Sequence, residues 1–310
     1  MKIKDILLNP VRGIVGTKRL FKGVKYLKDE HLFHHYETRR YQLIEHILHD
    51  KESGVTSERY VDHDIIVSLT SYGKRIHDVA FAIESIMQQS MKANRIILWL
   101  DNSFENQRLP QALLNQQKRG LEIAYCKDLR SYKKLIPALR TYPNDAIITV
   151  DDDLLYDYDI LEHLMVPYLE HPEYIHSCRG HQMLFDQDHQ LHPYLKWRQN
   201  VSELGVVEHY FLTSGGGTLF PPDSLDYEVF NEDVFMDICP FADDIWINAM
   251  AIMKGTIINK VYTRNKNGED YILNWESQDT GLYKANVLQN KNDKQIEAVF
   301  SRYSLYDKLR

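Results

Sequence analysis

The chain has 310 residues, 44% of them hydrophobic and 26% charged, with a formal net charge of -7. That length can bury a full core, and the profile is that of an ordinary soluble globular protein. The negative balance excludes nucleic-acid binding by bulk electrostatics, and the three scattered cysteines (Cys126, Cys178, Cys239), with no CxxC pair, argue against a disulfide framework or zinc site and fit a reducing cytosol.

Residues 1–62 read as a helical arm. Its first 28 residues carry Lys2, Lys4, Arg12, Lys18, Arg19, Lys22, Lys25 and Lys28 against one acid, Asp5, with apolar residues between them. Such a segment can rest on an anionic membrane surface, or pack on its own domain or a second subunit. Pro10 and Gly13 are expected to break it. No apolar run reaches the ~20 residues of a membrane helix, and the start lacks the apolar core of a signal peptide. "SGVTSERYVDHD" then supplies turn residues and a boundary.

From Ile65 the texture changes. "DIIVSLTSYG" (64–73) predicts a buried strand and "VAFAIESIMQQ" (79–89) a helix; "RIILWLD" (95–101) predicts a strand and "LPQALLNQQKRG" (109–120) a helix. "LEIAYC" (121–126) and "AIITV" (146–150) are further strands, around a helix over "YKKLIPALRTYP" (132–143). Four β-α repeats of this kind predict a mostly parallel sheet covered on both faces. Ligands of such sheets bind at the carboxyl ends of the strands, where Thr70, Ser71, Asp101, Asp128 and the triplet Asp151, Asp152, Asp153 all fall. Further on, 160–172 predicts a helix, 173–186 contains a strand, and 207–225 reads as strand, three-glycine turn and strand. Residues 240–255 predict a helix whose first turn holds Asp243 and Asp244, and 256–310 a short strand, a loop and one closing helix.

Three carboxylates directly after a buried strand suit a hard cation, Mg2+ or Mn2+, held by one or two carboxylates and completed by substrate phosphates. In an extended chain Asp151 and Asp153 point to one side and Asp152 to the other, which makes Asp151 and Asp153 the metal pair. The competing structural reading is a set of acids at a helix start, for which three are more than capping needs. Arg75 and Lys134 are candidate phosphate partners. "SGGGT" (214–218) offers unhindered backbone N–H groups, and Trp246 is either a stacking platform for a sugar or core. Asp243 and Asp244 read as helix caps or as a base aimed into the same cleft.

"IIVSLTSYGKRI", "DLRSYKKLIPAL", "AIITVDDDLLY", "SGGGTLFPP" and "FADDIWINAMA", in that order over residues 64–255, resemble a bacterial glycosyltransferase of the GT-A fold, of the surface-polysaccharide type. The resemblance implies an α/β fold: a Rossmann-like, mostly parallel sheet flanked by helices over residues 63–265, with the arm before it and a mixed extension, 266–310, packing on it. It implies a nucleotide-sugar donor, UDP-sugar favoured, and a glycan or lipid-linked glycan as acceptor. The triplet looks like the DxD motif, which places metal and donor diphosphate at Asp151, Asp152 and Asp153. Thr70, Ser71 and Arg75 would contact the nucleoside, with Asp101 in the same site, and Lys134 would lie near the donor. Gly215, Gly216, Asp243 and Asp244 would face the acceptor and the reacting carbon. The C-terminal histidine many such enzymes use as a metal ligand is missing, since the last histidine is His209; a carboxylate such as Asp279 could replace it. A cytoplasmic enzyme, resting on the inner face of the membrane through residues 1–28, is the expected setting.

Two rival readings are weaker. A sugar nucleotidyltransferase would carry a glycine-rich loop with a basic pair after its first strand, and "LTSYGKRI" has one glycine. A degenerate transferase serving as a scaffold in a polysaccharide assembly complex would not need its acids intact. A dinucleotide-binding dehydrogenase is excluded by the lack of G-x-G-x-x-G after the first strand.

Overall fold

The central strands are apolar on both sides because the sheet is covered on both sides. In β1 (Ile65–Thr70), Ile66 enters one core while Ile65, Val67 and Leu69 enter a second. In β2 (Arg95–Asp101), Ile97 and Trp99 go one way and Ile96, Leu98 and Leu100 the other. With β3 (Leu121–Cys126) and β4 (Ala146–Thr149) they form the parallel block β3-β2-β1-β4 that the repeats predict. The computed structural model describes residues 10–264, 271–274 and 291–309.

The later strands are short: β5 (Leu154–Tyr156), β6 (Ile175–Ser177), β7 (Gly180–Gln182), β8 (Gly205–Val206), β9 (Tyr210–Leu212), β10 (Thr218–Phe220), β11 (Ile258–Lys260) and β12 (Tyr271–Leu273). The main sheet has eight strands in the order β3-β2-β1-β4-β10-β6-β11-β8, with β10 antiparallel to β4 and β6. Two ribbons, β12-β5 and β7-β9, lie beside it. The three-glycine segment is therefore no hairpin. Its flanking strands join different sheets, β9 pairing with β7 and β10 entering the main sheet next to β4. That insertion carries residues 214–217 to the carboxyl end of β4, where the triplet begins.

The chain separates into two compact units, Met1–Glu45 and His46–Arg310. A single helix, α1 (Pro10–His49), makes up the described part of the first and runs into the second. The expected break at Pro10 and Gly13 does not occur. Pro10 is the first helical residue, where the missing N–H costs nothing, and Gly13 lies within the helix. No helix among the described residues is long and apolar enough to cross a membrane.

In the second unit, α2 (Val79–Met87), α3 (Gln111–Gln117) and α4 (Ile136–Thr141) connect the parallel strands. Residues 132–134, expected to begin that helix, belong instead to a separate 3-10 turn, Arg130–Lys134. The sequence continues with α5 (Ile160–Glu170), α6 (Glu232–Ile238) and α7 (Asp243–Lys254). The closing segment splits into α8 (Lys291–Arg302) and α9 (Leu305–Lys308), because Ser304 between them adopts φ 52°. The apolar face of α2 conceals one charge, Glu84, which is fully buried. Arg119 answers it with Nη1 2.9 and 2.8 Å from the two carboxylate oxygens, and Gln116 Nε2 donates at 3.0 Å.

Candidate functional site

The site is built where β4 stops. Thr149 at its end donates from Oγ1 to Ser214 O at 2.9 Å, which ties the strand to the segment leading into β10. Two residues on, the N–H of Asp151 donates to Tyr156 Oη at 2.7 Å, and that hydroxyl donates to Gly215 O at 2.6 Å. Tyr156 is fully buried; burial first, then Asp151, keeps its hydroxyl protonated far above the ordinary range. It is a structural member of the site that the sequence does not announce. Gly215 is indispensable where it stands, since a Cβ there would lie 1.7 Å from Asp151 Oδ2. At Gly216 a Cβ would lie 2.8 Å from the Cβ of Arg179, which brings Arg179 to the other side of the same turn.

The three aspartates divide their tasks. Asp152 is turned inward and 6% exposed, with Ser71 Oγ donating to it at 2.6 Å and Arg75 Nη1 at 2.7 Å. Burial pushes its carboxyl up to about 6, against the opposing pull of Arg75 and Ser71. Arg75 also reaches Asp153 through Nη2 at 3.1 Å. Burial and the neighbouring Asp151 raise Asp153. Asp151 meets Lys134, whose Nζ is 2.8 Å from Oδ1. The alternation of an extended chain does not hold, since residues 152 and 153 lie in a turn and share Arg75; Asp152 is a buried anchor, and the side chains of Asp151 and Asp153 are more open, at 38% and 18% exposure.

Lys134 joins the triplet to the later acids, for its Nζ is also 3.1 Å from Asp243 Oδ2. Burial alone would lower the lysine's pKa; Asp151, Asp243 and Asp244 outweigh it and raise it well above the ordinary value. Asp244 accepts from the N–H and the Oγ of Ser214, at 2.9 and 2.6 Å, and so fixes the glycine turn from below. Burial, reinforced by Asp243, pushes Asp244 up to about 6. The expected set of Ser71, Arg75, Lys134, Asp151, Asp152, Asp153, Gly215, Asp243 and Asp244 is thus one connected cluster, with Gly216 beside it.

Two expected members stand slightly apart and one does not belong. Thr70 Oγ1 donates to Trp99 O at 2.8 Å, and Asp101 accepts from Ser103 N–H at 3.0 Å. Asp101 and Asp128 flank the buried Lys133, with Nζ 3.7 and 2.9 Å away, next to the cluster because Lys133 precedes Lys134. Trp246 is no stacking platform. It is fully buried, its Nε1 donates to Val229 O at 3.2 Å, and its ring packs against Phe235 and Tyr303. One turn of α7 sends the acids to the cleft and the indole into the core.

Among the described residues no group of three or more His, Cys, Asp or Glu side chains could hold a metal. Asp151 and Asp153 offer two hard oxygen donors, which suits Mg2+ or Mn2+ provided that substrate phosphates supply the remaining ligands. Asp279 lies outside the described residues. Much of the triplet's charge is already balanced by Arg75 and Lys134, the two cations expected to meet phosphate.

No protein-family model matches the sequence, and no curated protein matches it. Among solved structures, TarS 1–349 of S. aureus in complex with UDP aligns with a TM-score of 0.46 and 12% identity, over 67% of this chain. The alignment spans 59% of the TarS chain. The inositol-1-phosphate CTP transferase from T. maritima aligns with a TM-score of 0.38 and 10% identity, over 65% of this chain and 86% of that one. The fold is mixed α/β, with a large, mainly parallel central sheet flanked by helices. Within it, the charged side chains of the site stand at the carboxyl ends of β1, β2, β3 and β4, where open parallel sheets place ligand sites.

Proposed function

We propose that the protein is a metal-dependent glycosyltransferase that moves a sugar from a nucleotide-diphosphate sugar, UDP-sugar favoured, to a hydroxyl of a glycan or lipid-linked glycan. The observation that carries this reading is the pair of contacts made by Lys134, which hold the first aspartate of the triplet and Asp243 against one ammonium group. The two contacts support a reading in which Asp151 serves the diphosphate and Asp243 the acceptor hydroxyl of one reaction.

The roles follow from the geometry. Asp151 and Asp153 would hold Mn2+ or Mg2+, which when bound neutralises the leaving diphosphate. Asp152, anchored by Arg75 and Ser71, keeps the triplet's backbone in register. Thr70, Ser71, Arg75 and Asp101 line the donor side. Gly215 and Gly216 let the backbone of the turn close up against Asp151 and Arg179, whose side chains fill the space a Cβ would take. In an inverting reaction Asp243 or Asp244 takes the proton of the attacking hydroxyl; in a retaining one the pair positions the acceptor. Residues 1–28, with eight cations against one acid, would hold the enzyme on the anionic inner face of the cell membrane. Within that segment Val24 and Leu27 are exposed on α1.

The test is calorimetric titration of UDP, GDP, CDP and ADP, with and without Mn2+, on the wild-type chain and on Asp153→Ala. Metal-dependent binding of one nucleotide, lost in the variant, is the expected result. Binding of none at saturating metal would remove the transferase reading and leave a scaffold as the better account.

A further inference from the structure

Two strips of chain lead away from the catalytic acids side by side. One covers residues 127–143, from the end of β3 through Lys134 and α4; the other covers 227–241, from a 3-10 turn through α6 to the lip before Asp243. They are stitched along their length. Tyr132 Oη donates to Cys239 O at 2.6 Å and Arg130 Nη1 to Pro240 O at 3.1 Å. Lys127 Nζ lies 3.3 Å from Glu232, which also receives Arg140. At the far end the strips part around a cleft of about 550 Å³, lined by Arg140, Pro143, Tyr227, Glu228, Phe230 and Asn231.

The side chains of this cleft are arranged for a ligand rather than for packing. Tyr227 is 84% exposed, so its ring gains almost nothing from burial where it stands. It meets Phe230 edge-on at 5.5 Å between centroids, and the guanidinium of Arg140 lies 5.4 Å over the Phe230 ring. Glu228 is held in place by Tyr303 Oη at 2.7 Å and Asn231 Nδ2 at 2.8 Å. The exposed Tyr227 ring beside fixed carboxylate, amide and guanidinium groups suits a sugar ring, which presents C–H on its faces and hydroxyls on its edge. The volume is that of an ordinary small-ligand site.

The other end of the seam carries a second aromatic. Phe241, two residues before Asp243, is 36% exposed, with Arg130 stacked 4.2 Å from its centroid. Ten residues lie between Phe230 and Phe241, seven of them the helix α6, which is itself roughly 10 Å long. That is longer than one pyranose ring, so a ligand that touches both ends is a chain.

We propose that the Tyr227–Phe230 cleft is a second glycan-binding site, which grips the acceptor chain some units away from the hydroxyl under attack. The proposal rests on the transferase reading above and adds to it the substrate class: an oligosaccharide acceptor, not a single sugar. The test uses Tyr227→Ala, a variant whose exposed side chain contributes little to folding. Acceptors of one to six sugar units, released by mild acid from the host's own surface polysaccharide, are assayed with the donor that titration selects. Wild type is expected to show KM falling with acceptor length. The variant should raise KM for the hexasaccharide roughly three- to tenfold, leaving KM for the shortest active acceptor and nucleotide affinity unchanged. Intact nucleotide binding with a KM that ignores length, or a variant effect equal at all lengths, would overturn the second site alone. Failure of every nucleotide to bind would take both readings down.

Discussion

Replacing Lys134 by Met keeps the length and packing of the side chain and removes one buried positive charge. The lysine is 5% exposed, and its two partners differ in their access to water. Asp151 is 38% exposed at the side chain, so solvent screens that pair and its loss costs under about 1 kcal/mol. Asp243 is 11% exposed, and without Lys134 it becomes an ionised carboxylate without its cation in the interior. Breaking a buried pair costs about 3–5 kcal/mol, and the half-open Asp151 side favours the low end, about 3 kcal/mol. With a urea m-value of ~3 kcal/mol/M this moves the unfolding midpoint by about 1 M. Because the lysine's pKa is raised, its contribution is fully present below the unfolded lysine value of about 10.4 and constant between pH 5 and 8. Any pH dependence of the deficit in that window must come from the carboxylates. Without the cation that holds it down, the neighbouring Asp244, already pushed up to about 6, rises further, so the deficit should be largest at pH 8 and shrink towards pH 5 as it takes up a proton. Urea titrations of both proteins at pH 5, 6.5 and 8 measure this. A deficit below 1 kcal/mol at pH 8, or one that does not change with pH, would refute the assignment of Lys134 as the shared counter-ion of the two acid groups.

Three further outcomes are expected. With Asp244 pushed up to about 6, an activity that needs the ionised pair should fall about tenfold per pH unit below 6; a kcat/KM profile from pH 5 to 8 without that limb would contradict it. The same raised values at Asp152 and Asp244 mean that the folded state holds extra protons between about pH 4 and 6, so these two groups make stability decline as pH rises through that window. Gly215→Ala forces a methyl to within 1.7 Å of Asp151 Oδ2, so the carboxylate must move. Stability should drop by about 1–3 kcal/mol, and Mn2+-dependent nucleotide binding should weaken at least tenfold by calorimetry; unchanged nucleotide affinity would show that Asp151 does not need its present position.

Periodicity and local chemistry were readable in the chain itself. Ile65 to Val67, Ile96 to Leu100 and Ala146 to Ile148 are apolar without alternation, which specifies strands buried on both faces, and helices between them specify parallel order. The acids at the end of β4 and at the start of α7 stand out because a run of carboxylates beside a buried element needs a reason. What a sequence does not encode locally is the partner of each charge. Ser71 meets Asp152 across 81 residues, Arg75 reaches Asp153 across 78 and Tyr156 holds Gly215 across 59. The first two pairings exist because β1 runs parallel beside β4, the third because β10 enters the sheet antiparallel beside β4 and lays residues 214–217 against the triplet. The same holds for Trp246: its residue type allowed a sugar platform, and the rotation of α7 placed it in the core instead. The charges of the site were legible from the sequence; the cations that already balance them were decided by the fold, since only tertiary packing brings side chains so distant in the chain within 3 Å.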